Sequence, residues 1–227
     1  MLLISIDTSG RQGSVALCRG EDDSFETLQL IPLEGGTYSA RLVPAITELL
    51  ASQQVSREQI DAFVVVSGPG SFTGLRVGIA TVKGLCEVLR KPLVTVSMLE
   101  ALTVMRGRAN GRVAVALDAG RGEVYVGEFQ VTNSRAALGR EYIAKIDVFA
   151  RECALTEMAV LSPDARVVEA LRAERVASRL VKPLRADEIG RFGLKKLLAG
   201  EVSDPATLDA NYIRRSDAEI FSAPPKR

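Results

Sequence analysis

Two aspartates, Asp7 and Asp118, stand where an apolar run gives way to a glycine-containing turn, in ISIDTSGRQG and LDAGRGEV. A carboxylate so placed could act as a general base in phosphoryl transfer. The backbone N–H groups of such a turn could hold a phosphate. Hydroxyls follow the first aspartate, so Asp7, Thr8 and Ser9 are the candidate nucleotide-binding residues. The alternative is that each aspartate accepts hydrogen bonds from its own turn. The residues alone leave both readings open.

A third stretch, SGPGSFTGLRVGIATVKGL over residues 67–85, runs from a strand end through a glycine loop into a helix rich in small residues. It lacks the lysine of GxxxxGK[ST] and the order of GxGxxG, so it is neither standard phosphate loop. Glycine costs a helix about 1 kcal/mol against alanine, so Gly74, Gly78 and Gly84 imply close packing of backbones. They pack either on the helix's own sheet or, with Val77, Ala80 and Thr81, against a partner. A second broad apolar helix, with Tyr38, Leu42 and Ile46, is expected to share that partner surface. On this reading Gly78→Leu abolishes pairing and leaves the fold intact.

The chain has 227 residues and no histidine, which removes the commonest general base and the commonest metal ligand. No catalytic residue, metal or cofactor is expected. A formal charge of +1 provides no global basic field for autonomous nucleic-acid binding. Pairs such as Arg106 with Arg108, or Arg214 with Arg215, read as solvated surface. Cys18, Cys86 and Cys153 fall outside any CxxC spacing and are expected to be reduced and structural in a cytoplasmic protein. The start MLLISIDTSG reads as a strand, not a signal peptide, and no apolar run reaches membrane length.

The elements that must position these residues follow from periodicity. Leu2–Ile6, Ser14–Cys18 and Phe25–Ile31 read as strands and 38–53 as a helix that Pro44 should kink or restart. Ser56 with Gln59 suggests a capping box. Strand 62–66, helix 73–90, strand 93–96 and a helix from Ser97 and Glu100 complete a β-β-β-α-β-α-β-α half. The pattern restarts near Gly111, with strands at 113–117, 123–131, 142–146 and 158–161 and helices at 164–171 and 187–198. The expected division is 1–106 and 107–227, and the terminal SAPPKR is expected to be disordered.

GPGSFTGLRVG, the IDTSG start and the two-lobe pattern resemble the TsaB (YeaZ) family, densest over residues 1–102 and weaker in LDAGRGEVYV and NYIRRSDAEIF. The loop string is similar to GPGLxGALxVG of the paralogous TsaD enzymes. The resemblance implies an α/β fold of two RNase H-like lobes, as in actin, Hsp70 and sugar kinases. TsaD enzymes follow that helix with VNHxEGH, whose histidines bind metal. Here Met98 and Leu102 occupy the matching positions, and Glu100 remains. The resemblance therefore implies a non-catalytic subunit that binds TsaD through its two first-lobe helices. TsaE joins in a larger complex, the chain forms a homodimer when alone, and tRNA is reached indirectly. The function implied is threonylcarbamoylation of N6 of adenosine 37 in tRNAs that read ANN codons. A small-molecule kinase or a metallopeptidase of the same superfamily is the alternative. Relatives carry HSxRLLP where this chain has YSARLVP, so Tyr38 replaces a histidine.

Overall fold

The computed structural model describes residues 1–22, 24–107, 110–133, 135–156, 158–209, 211 and 213. The terminal SAPPKR, Arg108, Arg214 and Arg215, and all of NYIRRSDAEIF except Asn211 and Ile213, lie outside the described residues.

The first sheet contains β1 (Leu2–Asp7), β2 (Gln12–Glu21), β3 (Ser24–Glu34), β4 (Ala62–Gly68) and β5 (Leu93–Ser97), in the order β3-β2-β1-β4-β5. β1 pairs antiparallel with β2, from Leu2 opposite Arg19 to Asp7 opposite Ser14, and parallel with β4. Strands β1 and β4 are almost wholly buried on both faces, as expected for central strands covered by helices on each side. This explains why they read as continuous apolar runs.

Helices α1 (Tyr38–Ser52) and α2 (Phe72–Leu89) lie side by side against this sheet. Pro44 sits inside α1 without dividing it. The carbonyl it leaves without a donor belongs to Ala40, and both residues are exposed, where water can satisfy that carbonyl. The sequence expectation of a restart is therefore corrected. Ser71 caps α2, its hydroxyl accepting from Gly74 N at 3.3 Å. Near Ser56 the expected box forms, with Ser56 N donating to Gln59 Oε1 at 2.8 Å.

The second sheet contains β6 (Gly111–Gly120), β7 (Glu123–Thr132), β8 (Arg135–Lys145), β9 (Val160–Ser162) and β10 (Ser178–Leu180), in the order β10-β9-β6-β7-β8. Helices α4 (Ile146–Thr156) and α5 (Ala165–Ala173) pack on it. Their core joins Ala114, Val126 and Val160 to Phe149, Cys153, Val167 and Leu171. Both sheets thus repeat one connectivity: an antiparallel meander of three strands, then two parallel strands added beside the first.

The chain does not divide at one point near Arg106. One compact unit is Met1–Ala101 with Leu184–Ala210, and the other is Leu102–Pro183 with Asn211–Arg227. The reason is α6 (Ala186–Leu198), whose Ala186 and Leu194 bury against Leu3, Ala16, Cys18 and Ala62 of the first sheet. After it, Ser203 bridges to Leu93 at the β5 edge. Helix α3 (Met98–Arg106) crosses from one unit to the next. All three cysteines are free and buried. Burial pushes the Cys18 and Cys153 thiols up to about 12 and Cys86 to about 11. No helix among the described residues is long and apolar enough to cross a membrane.

Candidate functional site

The turn after β1 is held from three directions. Ser9 donates from its N–H at 2.9 Å and from its hydroxyl at 2.6 Å to Asp7 Oδ1. The Thr8 hydroxyl donates to the Gly74 carbonyl at 2.8 Å, and Ser71 N donates to the Ser9 carbonyl at 2.7 Å. From α1, the Tyr38 hydroxyl donates to the Gly10 carbonyl at 2.7 Å. Asp7, Thr8 and Ser9 are 3%, 1% and 7% exposed. The candidate nucleotide residues are therefore together but enclosed, and both hydroxyls serve the protein's own turn. Burial raises the Asp7 carboxyl above its ordinary range, against the opposing pull of the two Ser9 hydrogen bonds. Burial, and then the charge of Asp7, push the Tyr38 hydroxyl up to about 12.

The small residues of α2 make this closure possible. A β-carbon at Gly74 would run into the Thr8 carbonyl, and one at Gly78 into the Thr8 hydroxyl. A β-carbon at Gly70 would meet the Ser9 backbone. Gly74 and Gly78 thus allow contact with the aspartate turn of their own unit. Gly78→Leu must disturb the fold, which corrects the expectation that it leaves the fold intact. Tyr38, Leu42 and Ile46 are likewise buried within this unit.

The remaining candidate residues face outward. Ala80 and Gly84 are exposed, Val77 and Thr81 are half-buried, and a β-carbon at Gly84 would meet nothing within 4 Å. Val88 continues this row at 77% exposure, so positions 77, 80, 81, 84 and 88 form a second stripe at helical spacing. On α1, exposed Ala40, Val43, Pro44 and Thr47 form another, with Val43 at 56%. Neither stripe contains a charged residue. Sequence reasoning missed Val43 and Val88, although the i, i+4, i+8 series Ala80, Gly84, Val88 was the available signal.

The residues that could do acid–base or metal chemistry are engaged otherwise. Met98 and Leu102 are buried apolar side chains. Glu100 pairs with Lys196 at 3.6 Å, and its N–H donates to the Ser97 hydroxyl at 3.3 Å. Asp118 is exposed, accepting from Gly120 N at 2.7 Å while its own N–H donates to Asp164 Oδ2 at 2.8 Å. Burial raises the Asp164 carboxyl, aided by the charge of Asp118 and opposed by that hydrogen bond. Among the described residues no group of three or more His, Cys, Asp or Glu side chains could hold a metal ion.

Two sheets of identical connectivity, each with an aspartate at or near the end of its first strand, define an α/β protein of two similarly built units. Residues 35–182, well over half of the chain, match the family model described as TsaD, tRNA N6-adenosine threonylcarbamoyltransferase. The chain is similar to the tRNA threonylcarbamoyladenosine biosynthesis proteins TsaB of Escherichia coli and Bacillus subtilis. The first is 36% identical over 132 residues, 57% of this chain and 55% of the relative. The second is 33% identical over 133 residues, 59% and 57% of the two chains. The match thus spans little more than half the length of these relatives. The solved structure of YeaZ from Pseudomonas aeruginosa superposes with a TM-score of 0.71 at 27% identity, over 93% of this chain and 99% of that one. The chain belongs to the TsaD family and, within these likenesses, to the TsaB (YeaZ) group, whose named relatives act in tRNA threonylcarbamoyladenosine biosynthesis.

Proposed function

We propose that this protein is a non-catalytic subunit that docks a TsaD-type enzyme on the outward stripes of α1 and α2. That enzyme forms the threonylcarbamoyl group on N6 of adenosine 37 in tRNAs that read ANN codons. TsaE joins the larger complex, and the same stripes bury themselves in a homodimer when the enzyme is absent. The observation that carries this reading is the pair of uncharged stripes, with Val43 and Val88 more than half exposed. Contiguous exposed apolar surface of this kind marks an interaction site. Residue chemistry supports the non-catalytic half of the reading. Met98 and Leu102 are apolar where a metal enzyme needs ligands, and the Asp7 turn is closed around its own hydroxyls.

The test is co-purification with the TsaD-type partner. Ala80→Arg and Gly84→Arg point charge outward from positions with no internal role, so each variant should stay folded and lose the partner. Full recovery of the complex with both variants would overturn the assignment of the surface.

A further inference from the structure

The second unit has a charge asymmetry that the pairing surface does not use. Residues 102–183 carry 13 Lys and Arg against 10 Asp and Glu, an excess of three. The segment 172–182, RAERVASRLVK, carries four against one. The whole excess of residues 102–183 therefore sits in eleven residues, from the end of α5 through β10 at the sheet edge.

Folding adds to this edge. The Arg179 guanidinium donates to the carbonyl of Arg106, the last residue of α3, and Arg106 Nε donates to the Lys182 carbonyl at 3.2 Å. These bonds hold Arg106, Arg179 and Lys182 together, and the carbonyl that accepts from Arg179 does not neutralise its charge. Arg172, Arg175 and Lys182 are exposed. Among the described residues, their side chains make no hydrogen bond or ion pair. Structural roles account for part of the set. Arg172 lies in the last turn of α5, where a cation is favourable, and Arg179 caps α3. Neither role explains Arg175 or Lys182. Strand addition is a poor use of this edge, because β10 has three residues and flanking cations blunt such strands.

We propose that this α5–β10 edge docks the phosphate backbone of a structured RNA, namely the tRNA on whose modification the named relatives act. The proposal rests on the tRNA-modification reading above and revises the expectation that tRNA is reached only indirectly. The contact positions the RNA without reading its sequence, since exposed arginine and lysine at an edge engage phosphates and not base edges.

The experiment is an anisotropy titration of an unmodified tRNA transcript with the full chain, alone and bound to its TsaD-type partner, at several salt concentrations. It compares the native chain with Arg172→Gln/Arg175→Gln/Lys182→Gln and with the corresponding triple glutamate variant. Melting curves establish that both are folded. Each lost phosphate contact flattens the salt dependence, so the triple glutamine variant should lose about two to three units of log–log slope. Its affinity should fall about tenfold or more, with pairing to the partner unchanged. Identical affinity and slope in both triple variants would overturn the proposal. Loss of the partner with unchanged tRNA affinity would also overturn it and make the edge a protein contact. The outward α2 variants test pairing separately, so the two readings can fail independently.

Discussion

The two units share one scaffold and close it differently. In each, an aspartate at or near the end of the first strand accepts the N–H two residues on, Ser9 for Asp7 and Gly120 for Asp118. In each, a helix follows the fourth strand. In the first unit that helix begins with SFTG and carries glycines, so α2 presses on the Thr8 turn and buries Asp7. In the second, Ser162, Pro163 and Asp164 lead into α5, Asp164 takes the Asp118 N–H, and Asp118 stays exposed. One glycine-rich helix start thus converts an open polar turn into a core element. Closure engages the Thr8 and Ser9 hydroxyls within the unit and supports α1 and α2, whose outer stripes are exposed.

The largest effect expected from this comparison is that of Gly78→Leu. The added side chain meets the Thr8 hydroxyl, and overpacking of this kind should cost about 3 kcal/mol or more. Denaturant unfolding measures it, and a wild-type midpoint would show that the closure is not tight. Next, Tyr38→Phe removes the hydrogen bond to the Gly10 carbonyl and should cost about 1 kcal/mol, read from the same curves. The smallest effect is pH-dependent. Because burial raises the folded pKa of Asp7, its protonated form favours the native state. That contribution is fully present below the ordinary carboxylate pKa and is lost as pH rises through the raised value. Asp7→Asn should therefore be at least as stable as wild type at neutral pH. The wild type should gain on it as the solution is acidified.

Much of the frame was legible from residues. Leu2–Ile6, apolar but for the buried Ser5, and Ala62–Val66, wholly apolar, lack polar alternation because both faces of β1 and β4 are covered. Glycines at 74 and 78 signalled close approach, but spacing alone does not say to what. The register of α2 on the sheet decides it, and it places them against Thr8. Helix α4 went unread because its buried Phe149, Ala150 and Cys153 give too short an apolar stripe to stand out. The three-residue β10 is below the length at which alternation is visible. That α6 belongs to the first unit follows from its packing on Leu3 and Cys18, a long-range contact that no local pattern encodes.

The most direct measurement is tRNA threonylcarbamoylation by the reconstituted TsaD-type partner, with this chain withheld, supplied, or supplied as variants. Modification should require the chain, proceed with Asp7→Asn and Asp118→Asn, and fail with Gly84→Arg. Full modification with Gly84→Arg, together with loss in either aspartate variant, would contradict a role exercised through the outer faces of α1 and α2.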